Sequence, residues 1–209
     1  MAAMSAVTSV SFIVQLATAV AAGATGVTAY KGYRATGSPN LLRLCTSFAL
    51  LSIGLALGAV ASVVDDPVLS AVVMISGSAL DAAGYFLLAL SHFFTVRGEI
   101  SGLGTLLLVP ALSVSTLSWL NIAINAVSLY LLMYISAETL IFYFQYRSRA
   151  TLISVTGLLL ITASVLLEMV VVPSGDLALL FSCIKLLGFV ILCSPVAILF
   201  RHRPEVKAS

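Results

Sequence analysis

Lys185 is the residue whose type and position in this chain most directly suggest chemistry. It lies in an apolar segment, and no other charged residue occurs between Asp176 and Arg201. A lysine ammonium at the centre of a bilayer costs about 2.5 to 3.5 kcal/mol on insertion scales. Such a group turns towards other protein groups, so we expect Lys185 to mark a functional site.

Asp81 is the natural partner of Lys185. Asp81 precedes Arg97 by the same 16 residues that separate Lys185 from Arg201. At about 1.5 Å per helical residue, both side chains lie roughly 24 Å from their arginines. Two unpaired charges at one depth would each be costly to bury. The sequence therefore predicts an ion pair between Asp81 and Lys185, direct or bridged by one water.

Further polar side chains are expected at a similar depth. With Asp81 and Lys185 they could line a pocket for a small ligand, a proton or an ion, and they are Glu168, Tyr85, Asn125 and Tyr130. Glu138 is nearer to Arg147 and is a candidate for a proton relay or for pairing with a loop arginine. The alternative is that these groups only hold helices together, as buried polar pairs often do.

Residues for other kinds of chemistry are missing from the pattern. Serine, histidine and acidic residues do not converge at one depth, no glycine-rich loop could hold a phosphate, and no acidic pair has metal-ligand spacing. The three cysteines have no spacing that suggests a metal site or a disulfide framework. We therefore expect no enzymatic activity and no metal, and the absence of a basic groove predicts no nucleic-acid partner.

The elements that position these residues are apolar helices. Hydrophobic residues make up 61% of the 209-residue chain and charged residues 9%, which is typical of a polytopic membrane protein. The stretch 102–145 is about twice the length of one crossing, so it is divided in two. The sequence predicts an all-α fold with seven transmembrane helices, near 7–30, 41–64, 67–95, 102–118, 119–145, 150–173 and 177–200.

The charged residues predict the orientation of these seven helices. The basic residues fall on one side of the membrane: Lys31, Arg34, Arg43, Arg97, Arg147, Arg149, Arg201, Arg203 and Lys207. Asp65, Asp66 and Asp176 fall on the other side, which has no lysine or arginine. The positive-inside rule then places the N-terminus outside and the C-terminus inside. We expect a multi-pass protein of the cell membrane.

An internal repeat is the second feature of the sequence. A shift of 104 residues places Ser78, Asp81, Gly84 and Tyr85 onto Ser182, Lys185, Gly188 and Phe189, and Arg97 onto Arg201. Because the shift joins helices of equal orientation, it predicts a parallel 3+1+3 arrangement within one domain spanning 1–209. Repeat one covers about 7–97, a linker helix about 102–118, and repeat two about 119–203.

This topology resembles two known architectures, the microbial rhodopsins and the sugar carriers with PQ-loop repeats. Lys185 followed by Gly188-Phe189 is similar to the retinal-binding lysine of the rhodopsins, and Asp81 would then stand at the counterion position. That resemblance implies retinal on Lys185, and without it we expect no cofactor. The chain lacks the Arg-Tyr-x-x-Asp-Trp pattern of the rhodopsins and the Pro-Gln dipeptide of the carriers, so neither family is assigned.

Three functions fit these features. The first is a membrane sensor or receptor-like protein with a buried polar pocket. The second is a small solute or proton transporter, in which Asp81, Lys185 and Glu138 form a relay across the membrane. The third is a structural subunit of a larger complex, favoured by the small residues Gly54, Gly58 and Ser62. The expected partners are the lipid bilayer and, where the protein signals or assembles, a membrane or cytoplasmic protein or a second copy of the chain.

Overall fold

The computed structural model describes residues 2–96, 117–170 and 175–201, with side chains described over 9–91, 119–170 and 177–194. These residues form six helices, which are α1 Ala2–Thr36, α2 Pro39–Ala61, α3 Pro67–Val96, α4 Leu117–Tyr146, α5 Arg149–Val170 and α6 Gly175–Arg201. No strand occurs in these ranges. All six helices are long and apolar enough to cross a membrane. The protein is therefore an all-helical, multi-pass membrane protein.

Local sequence explains where several helices begin. Pro39 opens α2 and Pro67 opens α3, and proline is favoured in the first turn because its missing N–H has no helical partner there. The exposed Asp66 caps α3, since its Oδ1 accepts from the backbone N–H of Val68 at 2.8 Å. Asp66 thus has a structural role at the helix start.

Helices α1 and α4 end in the same way. Gly37 has a φ of 68° and Arg147 has a φ of 47°, and this left-handed conformation closes many helices. The N–H of each donates at 2.7 Å to a tyrosine carbonyl four residues earlier, that of Tyr33 or Tyr143. The two corners are 110 residues apart, six more than the shift that relates Asp81 to Lys185.

The six helices form a closed ring. Each helix packs against its neighbours in the chain, and α1 also packs against α6. Helices α1 and α6 run in the same direction, because Thr25 and Cys193 meet in the later part of both, with Oγ1 and Sγ 3.0 Å apart. Helices α3 and α4 meet through their earlier parts, where Ser78 Oγ donates to Asn121 Oδ1 at 2.9 Å.

Glycines allow two helix pairs to approach closely. A Cβ on Gly54 of α2 would lie 2.7 Å from the carbonyl oxygen of Gly77 on α3, and a Cβ on Gly157 of α5 would lie 2.9 Å from that of Gly188 on α6. Real Cβ atoms do not come so close to backbone oxygens. These contacts fix α2 against α3 and α5 against α6, as small residues commonly do between membrane helices.

The described helices agree with six of the seven predicted spans. The span predicted at 119–145 is helix α4, Leu117–Tyr146, and the one predicted at 41–64 is α2, Pro39–Ala61. Helix α1 is longer at both ends than the predicted 7–30. The predicted linker helix at 102–118 lies almost wholly outside the described residues. Seven crossings, the 3+1+3 repeat and the orientation stay predictions.

Candidate functional site

The ion pair of the bundle joins Lys185 to Glu168. Lys185 Nζ lies 3.2 Å from Glu168 Oε2 and donates a hydrogen bond to it. The glutamate lies in the last turn of α5, and the lysine lies ten residues after the first residue of α6, so the pair links these two helices. The lysine side chain is 17% exposed and the glutamate side chain 36% exposed. The pair is therefore only partly shielded from its surroundings.

Asp81 is not in direct contact with Lys185, so of the two predicted forms of this pair the direct one is wrong and the water-bridged one stays a prediction. Among the described side chains, the lysine pairs with Glu168, while Asp81 Oδ1 is buried and has no hydrogen-bond partner. Asp81 still interacts electrostatically with both Lys185 and Glu168. The short aspartate side chain stays on its own side of the bundle and packs against Gly54 of α2. We call Asp81, Glu168 and Lys185 the charge triad.

Buried aromatic rings, which we call the aromatic layer, lie beside the charge triad. Tyr85 follows Asp81 by one helical turn and is 3% exposed, and Phe189 follows Lys185 by one turn and is fully buried. Phe189 meets Phe48 of α2 edge to face, with ring centroids 6.4 Å apart. Tyr85 interacts electrostatically with Asp81 and Glu168. The predicted place of Tyr85 next to Asp81 agrees with the structure.

The predicted site residues on α4 differ in their exposure. Tyr130 is 56% exposed, so it lies on the outside of the bundle and does not line an interior pocket. Asn125 and Glu138 are half-buried. Within the described ranges, Glu138 forms no ion pair with a loop arginine. One polar contact from α4 to α3 is made by Asn121, which accepts from Ser78 one turn before Asp81.

Three residues near the triad were not predicted from the sequence. Gly54 forms the wall against Asp81, Asn121 holds α4 against α3, and Ser164 holds α5 against α6 by donating to the carbonyl of Phe181 at 2.8 Å. Ser164 is also 3.5 Å from Glu168 Oε1. Asn121 could have been predicted from its position, since asparagine in an apolar membrane helix often hydrogen-bonds to a neighbouring helix.

The formal charges of the triad do not balance. Two carboxylates and one ammonium carry a net charge of −1 when all three are ionised, and the ammonium is taken by Glu168. A lone carboxylate in a helix bundle is strongly unfavourable. One more positive charge, such as a proton, would neutralise the triad. No cluster of three or more histidine, cysteine or acidic side chains that could hold a metal occurs in the described part of the chain.

Comparison with known proteins assigns neither a family nor a function to this chain. No protein-family model matches the chain. No curated protein and no solved structure matches it either. The charge triad and the helices that hold it are therefore the basis for a functional proposal.

Proposed function

We propose that this membrane protein is a sensor or receptor-like protein whose stimulus binds at the charge triad of Asp81, Glu168 and Lys185. The observation that carries the proposal is the unpartnered Oδ1 of Asp81 beside a lysine that is already paired. Ionisable groups inside membrane bundles are expensive and commonly functional. A small positively charged species, such as a proton or an ion, completes the charge balance of this site.

The aromatic layer favours a binding site at the triad over a transport path through the bundle. The buried rings of Tyr85, Phe48 and Phe189 lie one turn from the triad on the side of the arginines. Glu138, the candidate relay residue, lies beyond them towards the end of α4 and has no ion-pair partner among the described residues. A stimulus bound at the triad is thus separated from that carboxylate by packed apolar side chains.

Trp119 offers a direct readout of the proposed response. It is the chain's only tryptophan, is 64% exposed, and precedes by two residues the asparagine that contacts Ser78. Ser78 lies one turn from Asp81 on the same face of α3. We expect a rearrangement at Asp81 to reach α4 through this hydrogen bond.

The experiment is a fluorescence titration of the protein in liposomes. Trp119 emission is recorded against pH and against sodium, potassium and ammonium salts for the wild type, Asp81→Asn and the control Glu138→Gln. We expect a saturable change in the wild type and the control that is lost in Asp81→Asn while the variant's thermal stability is kept. An unchanged response in Asp81→Asn would remove the triad as the stimulus site.

A transporter is the second candidate, and two likenesses between the halves of the chain favour it. The corners at Gly37 and Arg147 have the same backbone geometry, and the glycine contacts between α2 and α3 and between α5 and α6 are alike. These likenesses support the proposal of a duplicated bundle, which is a common plan for carriers. Flux of protons or sodium across proteoliposomes under an imposed gradient discriminates the two, since a sensor gives a fluorescence response without flux.

A further inference from the structure

Gly77 and Asp81 each place an oxygen atom close to Gly54. The carbonyl oxygen of Gly77 lies 2.7 Å from the position that a Cβ on Gly54 would take, and Asp81 Oδ1 lies even closer to that position. Neither a side chain nor a backbone N–H in the described part of the chain donates to Asp81 Oδ1. A buried carboxylate oxygen without a donor is strongly unfavourable. A protonated carboxyl group is neutral and supplies its own donor.

Asp81 has no cation of its own in the described part of the chain. On α2 the ionisable residues Arg43 and Cys45 lie near the opposite end of the helix, far from Gly54. On α4, Asn121 is a neutral amide that accepts from Ser78, and the acidic residue Glu138 lies 17 residues further along the helix. On α3 itself Tyr85 is neutral as a phenol. Across the bundle Lys185 attracts the carboxylate of Asp81 but is held by Glu168 at 3.2 Å.

We infer that the stimulus of this site is a proton, bound reversibly by Asp81 in the recess formed by Gly54 and Gly77. The inference rests on the proposed function and names its ligand. Asp81 Oδ1 is buried and packs so closely against Gly54 that even a single carbon added there would overlap it. A metal ion would also need several oxygen ligands at about 2.0 to 2.6 Å, whereas a proton needs one carboxyl oxygen.

The chemical step is a simple proton transfer. A hydronium ion from the aqueous phase gives its proton to the carboxylate of Asp81, an O–H bond forms on the carboxyl group, and a water molecule is left. In the reverse step the carboxylate regains its charge, and Lys185 is the nearest cation. Proton binding thus decides whether Asp81 presents a negative charge to Lys185 and Glu168.

Infrared difference spectroscopy of the protein in liposomes tests this directly. A protonated carboxylic acid gives a C=O stretching band that a carboxylate lacks. We expect a band at neutral pH that disappears reversibly at alkaline pH. The band should be lost in Asp81→Asn and kept in Glu168→Gln. A wild-type protein without the band across the pH range in which it stays folded, or a band that persists in Asp81→Asn, overturns the inference.

Two glycine variants on the same helix test the recess. Gly54→Ala places a methyl group where Asp81 Oδ1 lies, whereas a Cβ on Gly58, one turn away, meets no atom within 4 Å. We expect Gly54→Ala to weaken the band at neutral pH and Gly58→Ala to leave it unchanged. Equal bands in the two folded variants contradict the recess. If Gly54→Ala does not fold, Asp81→Asn still decides between the two outcomes.

The same samples separate this inference from the proposed function. A titrating Asp81 band without any Trp119 response means that the proton is bound but nothing is signalled, which leaves the inference and ends the sensor proposal. An Asp81-dependent Trp119 response to sodium, potassium or ammonium without the infrared band means the reverse. In that case the site senses a cation and the inference is wrong.

Discussion

Lys185 of α6 and Glu168 of α5 form an ion pair with their charged atoms 3.2 Å apart. Asp81 faces this pair from α3 without joining it. The lysine thus has a fixed partner within its own helix pair, and the second carboxyl group is free to change its charge. This division of roles separates the residues that hold the bundle together from the residue proposed to respond.

Loss of the Glu168 carboxylate should destabilise the bundle. In Glu168→Gln, Lys185 keeps its charge without a carboxylate partner, and we expect the free energy of unfolding to fall by about 1 to 2 kcal/mol. The partial exposure of Glu168 keeps the effect small. Thermal or denaturant unfolding in detergent measures it. Glu138→Gln is the matched control, because Glu138 has no ion pair among the described residues. Equal stability of both variants would show that the pair contributes nothing.

Interhelical serine hydroxyls should contribute measurably to stability. Ser47 Oγ donates to the carbonyl of Gly84 at 2.6 Å, and Ser164 Oγ donates to the carbonyl of Phe181 at 2.8 Å. We expect Ser47→Ala and Ser164→Ala each to cost about 0.6 to 2 kcal/mol. Ser154→Ala is the control, because the Ser154 hydroxyl is exposed and bonds only within its own helix. If the control lost as much stability, the two interhelical bonds would not be the cause.

The close contact of α5 and α6 should not tolerate a methyl group. A Cβ on Gly157 would lie 2.8 Å from Leu192 Cγ and 2.9 Å from the carbonyl oxygen of Gly188. Overpacking of this kind costs about 1 to 3 kcal/mol. We expect Gly157→Ala to lower the unfolding midpoint and Gly58→Ala, with open space around its Cβ position, to leave it unchanged. A stable Gly157→Ala protein would mean that the helices can separate without loss.

Reporter fusions test the number of crossings. Thr25 and Cys193 meet in the later parts of α1 and α6, and α5 packs antiparallel to α6 through Gly157 and Gly188. From these contacts we expect the ends of α1, α4 and α6 to share one side of the membrane, together with the end of α3. Fusions after Arg97 and after Arg149 should then both report the cytoplasm. Opposite reports would contradict the predicted seventh helix at 102–118.

The sequence predicted the helices well and the contacts of the site only in part. Apolar length and loop charges determined the spans, so α4 at Leu117–Tyr146 differs from the predicted 119–145 by only two residues at its start and one at its end. Rotation about each helix axis was not accessible, since these helices are apolar on nearly all sides. For this reason Tyr130 was placed in a pocket although it is exposed.

The missing direct contact between Asp81 and Lys185 has a similar cause. Depth counted along the helices placed Asp81 and Lys185 at one level but said nothing about how far each side chain reaches. The long lysine extends towards Glu168 near the end of α5, while the short aspartate rests against Gly54. The relation between these helices depends on the glycine contacts, which a single sequence does not reveal.

The contact between α1 and α6 has a consequence for biogenesis. Cys193 of α6 approaches Thr25 and the carbonyl of Ala21 on α1, so one face of the first described helix receives its partner only when the last one has been synthesised. Until then that face of α1 remains open to lipid or to the insertion machinery. Closure of the ring is thus a late event, and the charge triad, drawn from α3, α5 and α6, is assembled only at that stage.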